Sequence, residues 1–242
     1  MLQRAFYERF LDMKIEGAEN VPPHTNFIVV SNHASHLDMG LVKMALGDQG
    51  RDLVALAAAD YFFDNKYKRA YMDNFTNTVP IERSGSLRKS LRHALSFLEQ
   101  GYNALIFPEG GRSVTGVLLE FKPVIGFLAL TARVPVLPVY LRGTYEALPK
   151  GSNMLRRRDI GARIGRLITV EEMKAMTKGM SKSEGYRLIA AYARHRIENL
   201  RDGTRAEFDA KTLRRRWRDE RRAHPHDAEP AAHENELATT GD

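Results

Sequence analysis

Short β-rich runs alternate with helix-like segments through most of this 242-residue chain, and this alternation limits the folds open to it. The runs consist of strand-forming residues bounded by turn residues, and stretches with helical spacing separate them. Such alternation is typical of the α/β class, here with a mostly parallel, partly mixed β-sheet flanked by helices. We predict strands over residues 27–30, 52–58, 104–107, 136–141 and, with a weaker pattern, 160–168.

Three helices are predicted around these strands. Leucines recur every three or four residues in 86–100, and Gly101 stands where a helix commonly ends. A second helix over 181–200 opens with Ser181 and a glutamate three residues later, which is the spacing of a capping box. The third predicted helix covers 37–46.

The charge of the chain is unevenly distributed. The net charge is +7, but residues 223–242 contain five acidic residues and no Lys or Arg, so the rest of the chain carries about +12. We predict a folded domain over 1–202, a basic helical extension over 203–222 and a disordered acidic tail over 223–242. A basic body suits nucleic acid, anionic lipid headgroups or phosphorylated substrates, and charge alone does not choose among them.

The sequence carries no feature of secretion or membrane spanning. It has no cysteine, which excludes disulfides and thiolate chemistry and suits a reducing cytoplasm. Charges interrupt the apolar runs near the N-terminus, so no signal peptide is predicted, and the longest apolar stretches fall far short of the ~20 residues that a spanning helix needs. Residues 1–13 suit a helix that lies on a membrane surface or, equally well, packs on the core, with an apolar face of Leu2, Phe6, Phe10 and Met13.

His33 and Asp38 follow a predicted strand. In an unbroken helix a five-residue separation puts two side chains ~140° apart, so they meet only if His33 lies in the turn before the helix. An Asp carboxylate that holds His Nδ1–H leaves Nε2 free as a base. The pair alone is a weak signal, because a histidine at a helix start is more often a structural turn residue. A metal site of His33, His36 and Asp38 is an alternative, but no ligand cluster follows downstream and we predict no metal.

Three further blocks follow in order along the chain. They are Pro80-Ile-Glu-Arg83, Phe107-Pro-Glu-Gly-Gly-Arg-Ser113 and Val134-Pro-Val-Leu-Pro-Val139. Together with Asn32-His-x-x-x-x-Asp38, they resemble the glycerolipid acyltransferase family, which includes the lysophosphatidic acid acyltransferases. The block that begins at Phe107 is the most specific, because composition alone rarely produces Pro-Glu-Gly-x-Arg-Ser after a strand.

The resemblance implies an enzyme that moves a fatty acyl group from a thioester to a lipid hydroxyl, with His33 as general base and Asp38 orienting it. The implied donor is acyl-CoA or acyl-carrier protein, and the implied acceptor is a lysophospholipid, 1-acylglycerol 3-phosphate above all, giving phosphatidic acid. No cofactor is implied. The substrate-binding residues would be Arg83, Glu109, Gly110, Gly111, Arg112 and Ser113. The two arginines suit an acceptor phosphate, since a guanidinium makes two charge-assisted bonds to it.

Two departures from the family pattern leave the acceptor open. The family usually has Thr where this chain has Gly111, and a Phe-Lys-x-Gly pattern becomes Phe121-Lys-Pro-Val124, with a glycine only at Gly126. Another lysophospholipid or an aminoacyl lipid therefore remains an alternative acceptor.

A second alternative comes from a different class, a basic nucleic-acid-binding module. It explains the positive charge but not the four ordered blocks, so we predict no nucleic-acid partner. A lipid substrate and a basic body together predict a cytoplasmic protein that is peripheral on the anionic inner face of the membrane. The family resemblance implies a bacterial type of enzyme.

Overall fold

The computed structural model describes residue 7 and residues 11–51, 53–58, 77–81, 87–152 and 154–223. Seven strands lie in these ranges and form one sheet: β1 (Met13–Glu16), β2 (Ile28–Ser31), β3 (Val54–Ala58), β4 (Asn77–Ile81), β5 (Ala104–Ile106), β6 (Val136–Arg142) and β7 (Ile160–Ile164).

The sheet is mostly parallel, as predicted. Its order is β1-β7-β6-β2-β5-β3-β4, and the neighbours from β6 to β4 all pair in parallel. The β7 strand runs antiparallel to β6, and β1 pairs in parallel with β7. The carboxyl ends of β2, β5 and β6 therefore meet at one edge of the sheet, which we call the carboxyl edge.

Helices cover both faces of the sheet. They are α1 (Asp38–Ala45), α2 (Leu87–Glu99), α3 (Val124–Ala132), α4 (Thr144–Ala147), α5 (Val170–Thr177), α6 (Lys182–Asp202) and α7 (Ala210–Ala223), with 3-10 turns at Ala18–Asn20 and Gly47–Gly50. Because side chains alternate along a strand, Val29 and Leu105 pack in the core layer of α1, while Val30 and Ile106 pack in the layer of α2, α3 and α6. In the part of the chain that the structure describes, no helix combines the length and the apolarity needed to cross a membrane.

Most predicted elements are confirmed, with small shifts at their ends. The Ser181 side chain accepts a hydrogen bond from the Glu184 N–H and caps α6, as the capping box predicts. The predicted strand over 160–168 is too long, since β7 ends at Ile164 and Ile168 forms only an isolated bridge with Val136. The β1 and β4 strands and the α3, α4 and α5 helices have no counterpart in the sequence predictions.

The two ends of the chain are only partly described. A helix cannot continue through residue 13, because Asp12 has a left-handed φ of 41° and Met13 starts β1. Of the N-terminal segment, Tyr7 and Leu11 are buried in the core. The extension over 203–222 contains α7, whose Trp217 is buried with the Arg187 guanidinium 4.6 Å from its ring centre. Of the tail predicted over 223–242, Ala223 is the last residue of α7, and the rest lies outside the described residues.

Candidate active site

His33 and Asp38 meet at the carboxyl edge. His33 lies in the turn after β2, and Asp38 is the first residue of α1, so the two side chains are on different elements, as their spacing required. His33 Nδ1 lies 2.8 Å from Asp38 Oδ2. The Asp38 side chain is fully buried, while 21% of the His33 side chain is exposed.

The surroundings of Asp38 determine which His33 nitrogen carries the proton. Asp38 Oδ2 also accepts hydrogen bonds from the backbone N–H groups of Ala34, at 2.7 Å, and Ser35, at 2.8 Å. The start of a helix further favours a negative charge at this position. Because a carboxylate can only accept, His33 Nδ1 is the donor, and the Nε2 lone pair is left to act as a base.

The His33 ring is held on one side by an aromatic face. Its centre lies 3.9 Å from the centre of the Phe107 ring, and the two planes differ by 13°. Phe107 follows the last residue of β5, so the motif that contains it begins directly against the histidine. The contact of Phe107 with His33 was not predicted; an aromatic residue at the end of a strand, just before Pro-Glu-Gly, is the sequence signal for it.

The Glu109 side chain is bonded to the backbone of the same turn. Its Oε1 accepts the His33 N–H at 2.7 Å, and its Oε2 accepts the Leu119 N–H at 2.9 Å. The carboxyl group is buried, and this burial raises its pKa above the ordinary value of 4.5, against the opposite effect of the two backbone hydrogen bonds. Glu109 therefore ties the histidine turn to the loop that follows β5.

The other predicted binding residues lie on this loop, with one exception. The Ser113 N–H donates to the His33 carbonyl at 2.7 Å, and Arg112 is partly buried beside it. Gly110 has a left-handed φ of 74°, and an added Cβ there would lie 2.7 Å from Lys122 Nζ, whereas one at Gly111 would meet no atom within 4 Å. Arg83 lies outside the described residues.

Asn32 fixes the position of the turn relative to the sheet. Its side-chain amide donates to the Leu141 carbonyl at 2.9 Å, and its side-chain oxygen accepts the Leu141 N–H at 2.8 Å. This pair of bonds extends the β2–β6 pairing beyond the last strand residue. Asn32 belongs to the predicted motif, but this structural function of its side chain was not predicted.

The arrangement places a histidine with a free Nε2, oriented by a buried aspartate, at the carboxyl edge of an α/β sheet. Among the residues described by the structure, no group of three or more His, Asp or Glu side chains is placed to hold a metal ion. A histidine held in this way can perform acid–base chemistry on a bound hydroxyl.

Comparison with known proteins identifies the family. The model of the acyltransferase family matches residues 12–142, which include the dyad and the loop of Glu109. The chain belongs to the acyltransferase family, as the ordered motifs predicted.

Individual relatives agree with this assignment. The 1-acyl-sn-glycerol-3-phosphate acyltransferase of Cocos nucifera is 33% identical over 144 residues, which are 59% of this chain and 45% of that protein. The human 1-acyl-sn-glycerol-3-phosphate acyltransferase alpha is 28% identical over 143 residues, 58% of this chain and 49% of the relative. The chain thus spans about half the length of the curated relatives it matches.

A solved structure shows the same fold. The crystal structure of the 1-acyl-sn-glycerophosphate (LPA) acyltransferase PlsC from Thermotoga maritima matches with a TM-score of 0.65 and 29% identity, over 85% of this chain and 78% of that one.

Proposed function

We propose that this protein transfers a fatty acyl group from acyl-CoA or acyl-carrier protein to the hydroxyl of a lysophospholipid, with 1-acylglycerol 3-phosphate as the favoured acceptor. The observation that carries the proposal is the 2.8 Å contact between His33 and the buried Asp38, with the family's Glu109 loop bonded to the same turn. The names of the relatives support the choice of acceptor.

In the proposed reaction, His33 Nε2 takes the proton of the acceptor hydroxyl as its oxygen attacks the thioester carbonyl. A C–O bond forms and the carbonyl oxygen becomes an oxyanion. Collapse of this intermediate breaks the C–S bond, and the imidazolium returns the proton to the departing thiolate. A thioester is already activated, so the reaction needs no covalent enzyme intermediate, metal or cofactor.

Arg112 and Arg83 are proposed to bind the acceptor phosphate. A guanidinium suits a phosphate better than an ammonium group does, because it offers two parallel N–H donors. Gly110, Gly111 and Ser113 would shape the approach to this group. The lipid acceptor and the basic body also lead us to propose contact with an anionic membrane surface on the cytoplasmic side.

The test is a screen of acceptors with the purified full chain and labelled acyl-CoA, repeated with acyl-carrier protein as donor. The panel holds lysophosphatidic acid, other lysophospholipids and an aminoacyl lipid, and mass spectrometry identifies each product. We expect the highest kcat/KM with lysophosphatidic acid. Absence of transfer to every lipid hydroxyl would contradict the proposal.

The same assay with the His33→Ala variant tests whether His33 is the general base. Loss of a general base typically lowers the rate by a factor of roughly 10²–10⁴, so transfer should fall to near background while the thermal melt stays that of the wild type. Near-normal turnover would show that His33 is not the base.

A further inference from the structure

Large hydrophobic side chains are exposed on two loops beside the candidate site. We call residues 113–119 the valine loop and residues 148–158, of which residue 153 is not described, the arginine loop. The exposed fractions are 66% for Val114, 61% for Val117, 42% for Leu119 and 66% for Met154. Of the residues that the structure describes, Tyr102 alone adds to this set of exposed large hydrophobics, and it lies at the opposite edge of the sheet, before β5.

Hydrogen bonds fix the valine loop to the candidate site. Besides the Ser113 bond to the His33 carbonyl, the Leu119 N–H is held by Glu109 at 2.9 Å. The Tyr145 hydroxyl donates to the Val114 carbonyl at 2.9 Å. The backbone is thus anchored along its length, so the two valines point outward on a fixed loop.

The arginine loop is attached to the same turn. The Ser35 hydroxyl donates to the Leu148 carbonyl at 2.7 Å, and Ser35 forms an isolated bridge with Pro149. The loop exposes Lys150 and the consecutive residues Arg156, Arg157 and Arg158. Acidic residues flank the two loops, at Glu120, Glu146 and Asp159, but none lies between positions 147 and 158.

We infer that the valine and arginine loops together dock into the interface of a lipid bilayer that contains anionic lipids. Exposed aliphatic side chains beside a cluster of cations are the pattern that binds such an interface, because the aliphatics enter the acyl boundary while the cations meet the headgroups. Both loops are bonded to the turn of His33 and Ser35, so docking brings the histidine to the membrane surface. The inference rests on the proposed function in that the acceptor is a membrane lipid.

Vesicle co-sedimentation of the full chain tests the inference. One set of vesicles is phosphatidylcholine, and the other is phosphatidylcholine mixed with phosphatidylglycerol. Val114→Ser with Val117→Ser should weaken binding to both sets by about tenfold, because less apolar surface enters the bilayer. Arg156→Gln, Arg157→Gln and Arg158→Gln together should weaken binding to the anionic set only, by roughly a hundredfold at low salt.

Two control variants match these changes elsewhere on the molecule. Arg214→Gln, Arg215→Gln and Arg218→Gln remove the same charge from exposed positions of α7. Tyr102→Ser removes an exposed hydrophobic side chain from the opposite edge. Both should bind vesicles nearly as the wild type does. An equal loss in the α7 triple variant would mean that net charge alone governs binding and would overturn the inference.

Vesicle binding is measured without turnover, so absence of acyl transfer would overturn the proposed function and leave this result standing. With a short-chain acceptor dissolved as monomers, the loop variants should retain the wild-type rate. If the Arg156–Arg158 triple variant instead binds vesicles normally but loses affinity for acyl-carrier protein, the loops form a carrier-protein contact and the membrane inference is wrong.

Discussion

At the residue scale, the candidate base is held by three different kinds of contact. Asp38 bonds Nδ1, Phe107 covers one face of the ring, and Glu109 accepts the backbone N–H of His33. None of these contacts uses Nε2, so the ring is oriented while its basic nitrogen stays available. An orientation fixed before substrate arrives avoids an entropic cost at the moment of reaction.

Glu109 gives a prediction for stability against pH. Its pKa in the folded chain is raised above 4.5, so the folded state binds more protons than the unfolded state just above that value. The stabilising contribution is fully present below pH 4.5 and is lost as pH rises through the raised pKa. Glu109→Gln cannot titrate, so the excess stability of the wild type over this variant should shrink across that window.

Urea denaturation of both proteins, from below pH 4.5 to about pH 8, measures this difference in the free energy of unfolding. A difference that grows with pH would contradict it. That result would mean that the backbone hydrogen bonds of His33 and Leu119 outweigh burial and lower the pKa of Glu109.

The two glycines of the loop should differ in their tolerance of a side chain. Gly111→Thr introduces the family's usual residue where an added Cβ meets nothing within 4 Å, so the melting temperature should be unchanged. Gly110→Ala should cost about 1–2 kcal/mol, because φ is 74° and the Cβ would press on Lys122. Thermal melts compare the two variants. Destabilisation by Gly111→Thr that equals the effect of Gly110→Ala would refute this account of the loop.

At the element scale, a helix or strand could be predicted only where its own residues show a clear apolar pattern. The α2 helix has one apolar stripe and was predicted within a residue at each end, but α3 is apolar on nearly every side and shows no period. The β4 strand contains Pro80, which a central strand rarely tolerates; β4 accepts it because it lies at an edge of the described sheet and pairs there only with β3. The β1 strand does alternate, as Met-Lys-Ile-Glu, but its four residues are the shortest run over which alternation indicates a strand.

Close packing between α3 and α6 explains why the chain has a glycine at Gly126. An added Cβ at Gly126 would lie 2.4 Å from the Tyr186 carbonyl oxygen, and backbone atoms of a helix cannot move aside. Gly126→Ala should therefore cost about 1–3 kcal/mol of unfolding free energy. Gly126 lets the two helices pack closely, which is a structural reason for a glycine two residues after Val124.

Gly185→Ala on α6 is the matched control for Gly126→Ala. Its added Cβ would lie 3.3 Å from the Thr177 side chain, which has some freedom to shift, and alanine favours a helix by about 1 kcal/mol over glycine. Urea denaturation should place this variant within about 1 kcal/mol of the wild type. Equal costs for the two alanines would show that close backbone approach is not the reason for Gly126.

At the scale of the whole molecule, the candidate site is assembled from segments that are distant in sequence. The pairing of His33 with Asp38 was predictable because the two are five residues apart in one motif. The bonds of Asn32 to Leu141 and of Glu109 to His33 join positions 109 and 76 residues apart. They depend on the register of β2 against its neighbours, β6 and β5, which single-sequence patterns do not specify.

The uneven charge of the chain gives a last prediction at this scale. Residues 224–242 hold all five acidic residues counted in the predicted tail, so their removal raises the net charge from +7 to about +12. The buried residues that the structure describes all lie before position 224, and we expect the thermal melt to stay unchanged. Affinity for anionic vesicles should rise a few-fold at low salt, because the deletion removes five negative charges that an anionic surface repels.

Two comparisons separate this electrostatic effect from a structural one. Neutral vesicles should bind the shortened and full chains equally, and the gain on anionic vesicles should vanish near 1 M salt, where the screening length falls to about 3 Å. Weaker binding to anionic vesicles after the deletion would contradict the prediction. It would mean that residues 224–242 contribute to membrane binding and that their negative charge does not oppose it.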